Sequence, residues 1–260
     1  MDARRAVLLD VDGVLTVSWQ PLPGAVEALA ALRERDLDVL LVTNTTSRPR
    51  AAVVAALRTA GFDVTAPEVL TAPVLTAAYL AEHHPGARCL LLSSGDITED
   101  LPGIDLVTDP DAHADVVLLG GAGPELSYEA LDRAFRALRA GAVLVAMHRN
   151  LFWRTDAGLQ LDTGAFLAGL ERAAGVEAVV VGKPARAFFT TALAVLGAAP
   201  GDAVMVGDDV DADVLAAQAC GLTGVLVRTG KYLPGAETSA HGEADVVLDS
   251  IADLPAWLDR

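Results

Sequence analysis

Four short segments of the sequence gather side chains able to do chemistry. Asp10-Val11-Asp12-Gly13 sets two carboxylates two residues apart at the end of an apolar run, where a strand-ending turn is the plainer alternative. Thr43-Asn44-Thr45-Thr46-Ser47 follows a second apolar run and precedes a helical pattern. Hydroxyls, an amide and exposed backbone N–H groups at a helix start can cradle an anion or simply cap the helix. Gly182-Lys183-Pro184 places one of only two lysines, in a chain with 17 arginines, after a third run. A lysine kept where arginine is otherwise preferred points to a compact ammonium with a charge role. Gly207-Asp208-Asp209-Val210-Asp211-Ala212-Asp213 follows a fourth run and holds four carboxylates within six residues. Such groups repel unless a cation sits among them or they point apart. Asp208 and Asp209 read as the metal region and Asp211 as the cap of the next helix. The other lysine, Lys231 in Arg228-Thr229-Gly230-Lys231-Tyr232, could line the same edge but reads as a loop residue.

Two familiar loops are excluded. An EF-hand needs Gly at its sixth position and Glu at its twelfth; counting from Asp10 finds Leu15 and Pro21, and from Asp209 finds Val214 and Cys220. A Walker A loop fails because six residues separate Gly175 from Gly182 where four are required, and Pro184 takes the place of Ser or Thr. What remains is a set of parts suited to phosphoryl transfer through an aspartyl-phosphate. A carboxylate attacking phosphorus needs a hard divalent cation such as Mg²⁺ and a lysine to offset like-charge repulsion. One unit-charge pair at about 4 Å contributes about 4 kcal/mol at an effective dielectric near 20, so both cations matter.

The elements that must position these groups are short, continuous apolar runs: 6–9, 39–42, 178–181, 203–206 and 224–227. Strands apolar on both faces belong to a parallel sheet covered by helices, and the carboxyl ends of such strands are where ligands bind. Helices are expected over 25–35, over 48–60 with Ser47 as cap, Pro49 in the first turn and Gly61 as stop, and over 211–219 ending at Gly221. The middle stretch has its own strands at 88–92, 116–119 and 142–146 and helices over 126–140 and 163–174. The pattern is an α/β protein in which a Rossmann-like parallel sheet formed by 1–75 and 180–260 carries an inserted α/β domain, 76–179.

The balance of 19 basic to 35 acidic side chains, a net charge of −16, sets a repulsive field against nucleic acid polymers and anionic membrane surfaces. An anionic ligand must therefore be held by local chemistry. The first apolar run is too short for an export signal, and the longest uncharged stretch, 187–201, is broken by Gly197 and Pro200. Cys89 and Cys220 have neither disulfide-framework nor zinc spacing and read as small core residues. A soluble, cytoplasmic protein is expected.

Asp-Val-Asp-Gly-Val-Leu at 10–15, Thr-Asn at 43–44, Lys183 and Gly-Asp-Asp at 207–209 resemble, in order, the four motifs of haloacid dehalogenase superfamily phosphatases. The long gap from Thr43 to Lys183 matches the class IIA subgroup, whose α/β cap lies between the second and third motifs. Val-Gly-Lys-Pro and Val-Arg-Thr-Gly-Lys-Tyr look closest to the branch of phospholysine phosphohistidine inorganic pyrophosphate phosphatases. The resemblance implies Asp10 as nucleophile and Mg²⁺ ligand, and Asp12 as general acid and base with its main-chain carbonyl on the metal. It implies Thr43, Asn44 and Lys183 as holders of the phosphoryl group, Asp208 as a further metal ligand, and Asp209 and Asp213 as residues behind that shell. Asp12 favours a phosphatase over a dehalogenase, which has no leaving alcohol to protonate. A small phosphorylated substrate is expected, and the family allows a homodimer through the cap. A phosphomutase with the same motifs is one alternative; a non-catalytic interaction protein of the same fold would show decay in some motif. A receiver domain would be about half the length. In the inserted domain His83, His84, His148, Arg149, Trp153 and Arg154 could touch a substrate, although a solvated histidine pair and a core or interface tryptophan are the plainer readings.

Overall fold

The computed structural model describes residues 6–109, 111–239 and 241–260. Residues 1–5, which precede the run read above as too short for an export signal, lie outside the described residues. The chain opens with β1 (Ala6–Asp10), a two-stranded ribbon of β2 (Thr16–Val17) and β3 (Gln20–Pro21), α1 (Ala25–Glu34), β4 (Asp38–Thr43), α2 (Arg50–Thr59), β5 (Val69–Thr71) and α3 (Ala72–His83). It continues through β6 (Arg88–Leu92), β7 (Asp105–Leu106), β8 (Val116–Leu119), α4 (Tyr128–Arg139), β9 (Val143–Ala146), a hairpin of β10 (Phe152–Thr155) and β11 (Gly158–Leu161), α5 (Thr163–Ala174) and β12 (Val179–Val180). It returns with α6 (Arg186–Leu196), β13 (Ala203–Gly207), a π-helical turn Val210–Leu215 leading into α7 (Ala216–Gln218), β14 (Thr223–Val227), a ribbon of β15 (Thr238–Ser239) and β16 (Gly242–Glu243), β17 (Val246–Leu248) and α8 (Leu254–Leu258).

Two parallel sheets result. The first has the order β17-β14-β13-β1-β4-β5, and the second β12-β9-β8-β6-β7. The second is formed by residues that lie between β5 and α6 in sequence, so an α/β unit is inserted in an α/β fold. β1 is the switch point of the first sheet: its neighbours are β13 on one side and β4 on the other. A crevice opens at the carboxyl end of such a strand, and here that end carries Asp10, Thr43 and Gly207 side by side.

Two expectations need correction. The apolar run 178–181 was expected among the strands of the first sheet. It pairs instead with β9, Val179 beside Val145 and Val180 beside Ala146, and so belongs to the second sheet. An apolar run announces a buried strand but not its neighbour. Helix α2 starts at Arg50 rather than 48, with Pro49 extended at its N-cap and no bond from Ser47. The Arg50 N–H donates instead to Asp100 Oδ2 at 2.6 Å, so a carboxylate from the inserted unit caps this helix.

One apolar cluster runs continuously from Leu8 and Leu40 of the first sheet through Phe188 and Phe189 of α6 to Leu118 and Val145 of the second. Cys89 and Cys220 are buried, unpaired thiols in that cluster, as small core residues. No helix among the described residues is long and apolar enough to cross a membrane. Phe188 is fully buried on the helix that directly follows Lys183. Phe188→Ala should lower unfolding stability by about 3–5 kcal/mol, read by urea denaturation.

Candidate active site

The strand ends meet in one cavity of about 160 Å³. Its floor is Asp10, Asp12, Thr43, Asn44, Lys183, Asp208, Asp213 and Lys231; its roof comes from the inserted unit through Gly121, His148, Asn150, Trp153, Arg154 and Asp162.

Lys183 is the centre of the floor. Its Nζ lies 2.7 Å from Asp10 Oδ1 and 2.8 Å from Asp213 Oδ1, and all three residues are buried. Burial works against the ammonium, but Asp10 and Asp213 together outweigh it and hold Lys183 above the ordinary lysine range. It arrives just after β12, from the second sheet rather than from a first-sheet strand. What seats it is Asn44, whose Nδ2 donates to the Lys183 carbonyl at 2.9 Å while its Oδ1 accepts the Lys183 N–H at 3.0 Å. The Asn44 carboxamide is thus tied on both sides to the Lys183 main chain, and a hold on an anion by this residue falls to its second side-chain N–H and its backbone N–H.

Asp10 Oδ1 also accepts the Val11 N–H at 2.8 Å, while its Oδ2 takes no hydrogen bond from the described residues. Burial pushes the Asp10 carboxyl up, against the pull of Lys183. Asp12 is turned away to a hydroxyl chain: Thr45 Oγ1 donates to Asp12 Oδ2 at 2.9 Å and lies 2.8 Å from Thr43 Oγ1. Burial raises Asp12 too, and the Thr45 bond only partly offsets it. Thr45 was not among the expected site residues. The segment that holds it was recognised, but only the register of a strand end decides which hydroxyl faces the carboxylate.

The acidic segment divides its labour differently from expectation. Asp209, not Asp211, caps the turn that follows: its Oδ1 accepts the Asp211 and Ala212 N–H groups. Asp213 is not behind the carboxylate cluster but in it, since Asp10, Asp208 and Asp213 each offer a ligand atom within 4.8 Å of the others. Asp213, in the turn 210–215, lies directly against Gly207 at the strand end, where a Cβ would meet its side chain at 2.2 Å. Burial pushes Asp213 up to about 7 and Asp208 well above the ordinary carboxylate range. Asp208 Oδ1 is sealed from solvent with no hydrogen-bond partner among the described residues. Three buried carboxylates held at their upper range beside an orphaned oxygen are the electrostatics of a cluster short of positive charge, and a divalent cation with oxygen preference fits it.

Lys231, read from sequence as a loop residue, belongs to the site. Its Nζ lies 2.9 Å from Asp209 Oδ2 and its backbone N–H donates to Asp208 Oδ2 at 2.7 Å. Burial opposes its charge, yet Asp208 and Asp209 raise it above the ordinary lysine range. The same lysine and the Ala212 N–H hold Asp209 below the usual range in spite of its own burial. The scarcity of lysine was the signal that could have found it.

On the roof, His148 is buried, and its Nδ1 accepts the Asn150 N–H, which leaves the proton on Nε2, 3.3 Å from Thr46 Oγ1. Burial holds this histidine below its ordinary range despite nearby Asp162. Trp153 is 40% exposed and lines the cavity, so it is not a core residue. Trp19 faces the same space from the β2–β3 turn under the Arg48 guanidinium, 4.5 Å from the ring centroid. Ser18 and Trp19 both adopt positive φ, the turn that a two-residue hairpin demands and that side chains rarely favour. Arg149 points elsewhere, to Glu171, and His83 stacks on Tyr79 outside the cavity, with His84 tilted against the same ring.

A family model for haloacid dehalogenase-like hydrolases matches residues 7–107, and a related one, HAD-hydrolase-like, matches 180–254. The phospholysine phosphohistidine inorganic pyrophosphate phosphatase of Rattus norvegicus is 36% identical over 255 residues, covering 96% of this chain and 92% of that protein. The chain belongs to the haloacid dehalogenase-like hydrolases. Among solved structures, a p-nitrophenyl phosphatase from Archaeoglobus fulgidus superposes with a TM-score of 0.89 at 30% identity, covering 98% of this chain and 99% of that one. A glycerol phosphate phosphatase from Mycobacterium tuberculosis, in complex with magnesium, gives 0.84 at 31% identity, covering 96% and 76%. The family's motif order is thus accompanied by its architecture over nearly the whole chain.

In this hydrolase the pairing of Lys183 with two buried carboxylates should be costly to break. Lys183→Met should lower stability in metal-free buffer by about 3–5 kcal/mol, measured by chemical denaturation, because Asp10 and Asp213 then face each other uncompensated.

Proposed function

We propose that the protein is a Mg²⁺-dependent phosphatase that hydrolyses small phosphorylated metabolites through a phosphorylated Asp10. The observation that carries this reading is the convergence of Asp10, Lys183, Asp208 and Asp213 at one strand-end crevice, with Asp12 beside them and turned to Thr45. The names of the related phosphatases support it.

Asp10, Asp208 and Asp213 would hold the cation, with the Asp12 main-chain carbonyl as the further ligand that the family implies. When bound, Mg²⁺ supplies positive charge to the phosphoryl oxygens and offsets the repulsion between a carboxylate and an anionic ester. Asp10 has Oδ1 fixed by Val11 and Lys183, so Oδ2 is the atom offered to phosphorus. Its attack forms the Asp10–phosphorus bond and breaks the bond to the leaving oxygen, which takes a proton from Asp12. Asp12 is suited to keep that proton: burial raises its carboxyl, and Thr45 fixes one oxygen so that the other faces the leaving group. In the second step Asp12 takes a proton from water, which attacks phosphorus, releases phosphate and restores the Asp10 carboxylate. Lys183 and the N–H groups after β4 hold the phosphoryl oxygens, while the Thr43 hydroxyl, whose proton goes to Thr45 Oγ1, supports the chain that ends on Asp12. The roof over a cavity of this volume favours a small ester over a folded phosphoprotein.

Phosphate release from 4-nitrophenyl phosphate tests the reading. The wild type should require Mg²⁺ and lose activity to a chelator. Asp10→Asn should abolish turnover, and Asp12→Asn should lower kcat by about 10²–10⁴-fold. Activity of Asp10→Asn at the wild-type rate would remove Asp10 as the nucleophile, and a panel of phosphorylated metabolites then ranks the substrates.

A further inference from the structure

Asp208 is aimed by its surroundings rather than by its own backbone. Its Oδ2 sits in a slot between two glycines, Gly13 and Gly230, both at positive φ; a Cβ on either would lie 2.0 Å from that oxygen. The slot is closed by the Lys231 N–H at 2.7 Å, and its two walls are tied together by the Thr229 hydroxyl, which donates to the Gly13 carbonyl. Asp208 Oδ1 is thereby left without a hydrogen-bond partner among the described residues, on a carboxylate that belongs to the cluster with Asp10 and Asp213. The 229–231 loop does not stand alone, because Arg154 on β10 of the inserted unit reaches across and donates from Nε to the Gly230 carbonyl at 3.1 Å. That carbonyl belongs to the same peptide unit as the Lys231 N–H. The hairpin's tip has a second anchor, where the Asp156 N–H donates to Ser18 Oγ at 3.0 Å on the ribbon between β1 and α1.

We propose that Arg154 is a positioning residue for the cation site: by holding the Gly230–Lys231 peptide it fixes the direction of the N–H that orients Asp208, so that docking of the β10–β11 hairpin and metal binding are coupled. A peptide plane is rigid, so a donor on its carbonyl constrains the N–H on its far side. Groups that orient a metal-binding carboxylate typically change metal affinity by about 10–100-fold when removed. Coupling of this kind is reciprocal, so a cation in the cluster also favours the docked hairpin. The proposal rests on the reading of the cluster as a Mg²⁺ site.

The test is titration of the metal-free full-length protein with MgCl₂ by calorimetry, together with steady-state kinetics at saturating Mg²⁺. Arg154→Met should weaken Mg²⁺ binding by about 10–100-fold, and Arg154→Lys, which can still donate to the carbonyl, should recover part of it. Thr229→Val, which loosens the slot from the core side, should weaken binding in the same direction and serves if the hairpin variant folds poorly. Unchanged Mg²⁺ affinity in Arg154→Met and Thr229→Val, with KM alone raised in the former, would make Arg154 a substrate contact and overturn the proposal while leaving the phosphatase reading intact. A wild type that takes up no Mg²⁺ would overturn both.

Discussion

The ammonium of Lys183, buried and bonded at once to Asp10 and Asp213, is the contact on which the crevice depends, because without it nothing on that side separates two buried carboxylates. Two charges of one sign at about 4 Å repel by about 4 kcal/mol even at an effective dielectric near 20. Lys183 answers that repulsion on one side of the cluster, and Lys231 answers it on the other through Asp209 and Asp208. Burial raises Asp10, Asp208 and Asp213 above their ordinary range, neighbouring acids add to it, and the two lysines offset it only in part. The imbalance is local and purposeful: it is a demand for one more cation at the place where a phosphate would arrive.

Meeting that demand requires parts from distant stretches of the chain. Asp10 and Thr43 come from adjacent strands, Asp208 from the far side of β1, and Lys183 from the return of the inserted unit, 139 residues after the Asn44 that seats it. The apolar cluster shared between the sheets holds these parts together, since Phe188 and Phe189, on the helix that follows Lys183, belong to it. Seating by Asn44 resolves a conflict in the design. A lysine on a connecting segment has the freedom of a loop, and two hydrogen bonds to its main chain remove that freedom without spending its charge.

Much of this was legible in the residues. Continuous apolar runs announced a covered parallel sheet, and polar residues at their ends announced the crevice, because ligands of such sheets bind at the carboxyl ends of the strands. What was not legible has a common cause. The sheet joined by 178–181 depends on a partner strand, and the capping of α2 by Asp100 on a side chain 50 positions away. The exchange of roles between Asp209, Asp211 and Asp213 depends on which carboxylate meets the free N–H groups of the turn and which meets Lys183. Lys231 enters partly through its backbone N–H, a group every non-proline residue possesses and no sequence pattern marks. Residue types declare chemistry; direction comes from tertiary neighbours.

The same reasoning explains why an overall charge of −16 does not exclude an anionic ligand. At physiological ionic strength, charges beyond about 8 Å are largely screened, so the surface acids matter less to a bound phosphate than the few groups that touch it. On the proposed reading those groups would be a buried ammonium, N–H donors after β4 and a carboxylate cluster suited to a divalent ion. The cluster is a cost to the fold while it lacks the ion, since each raised carboxyl marks a charge held against its preference. A cation that binds the folded cluster and not the unfolded chain returns that cost by mass action, about 2.7 kcal/mol at one hundred times its dissociation constant. On the proposed reading the acidic crevice links the stability of the protein to the ion that its chemistry would use, and the apolar core must be large enough to hold the fold together without that ion.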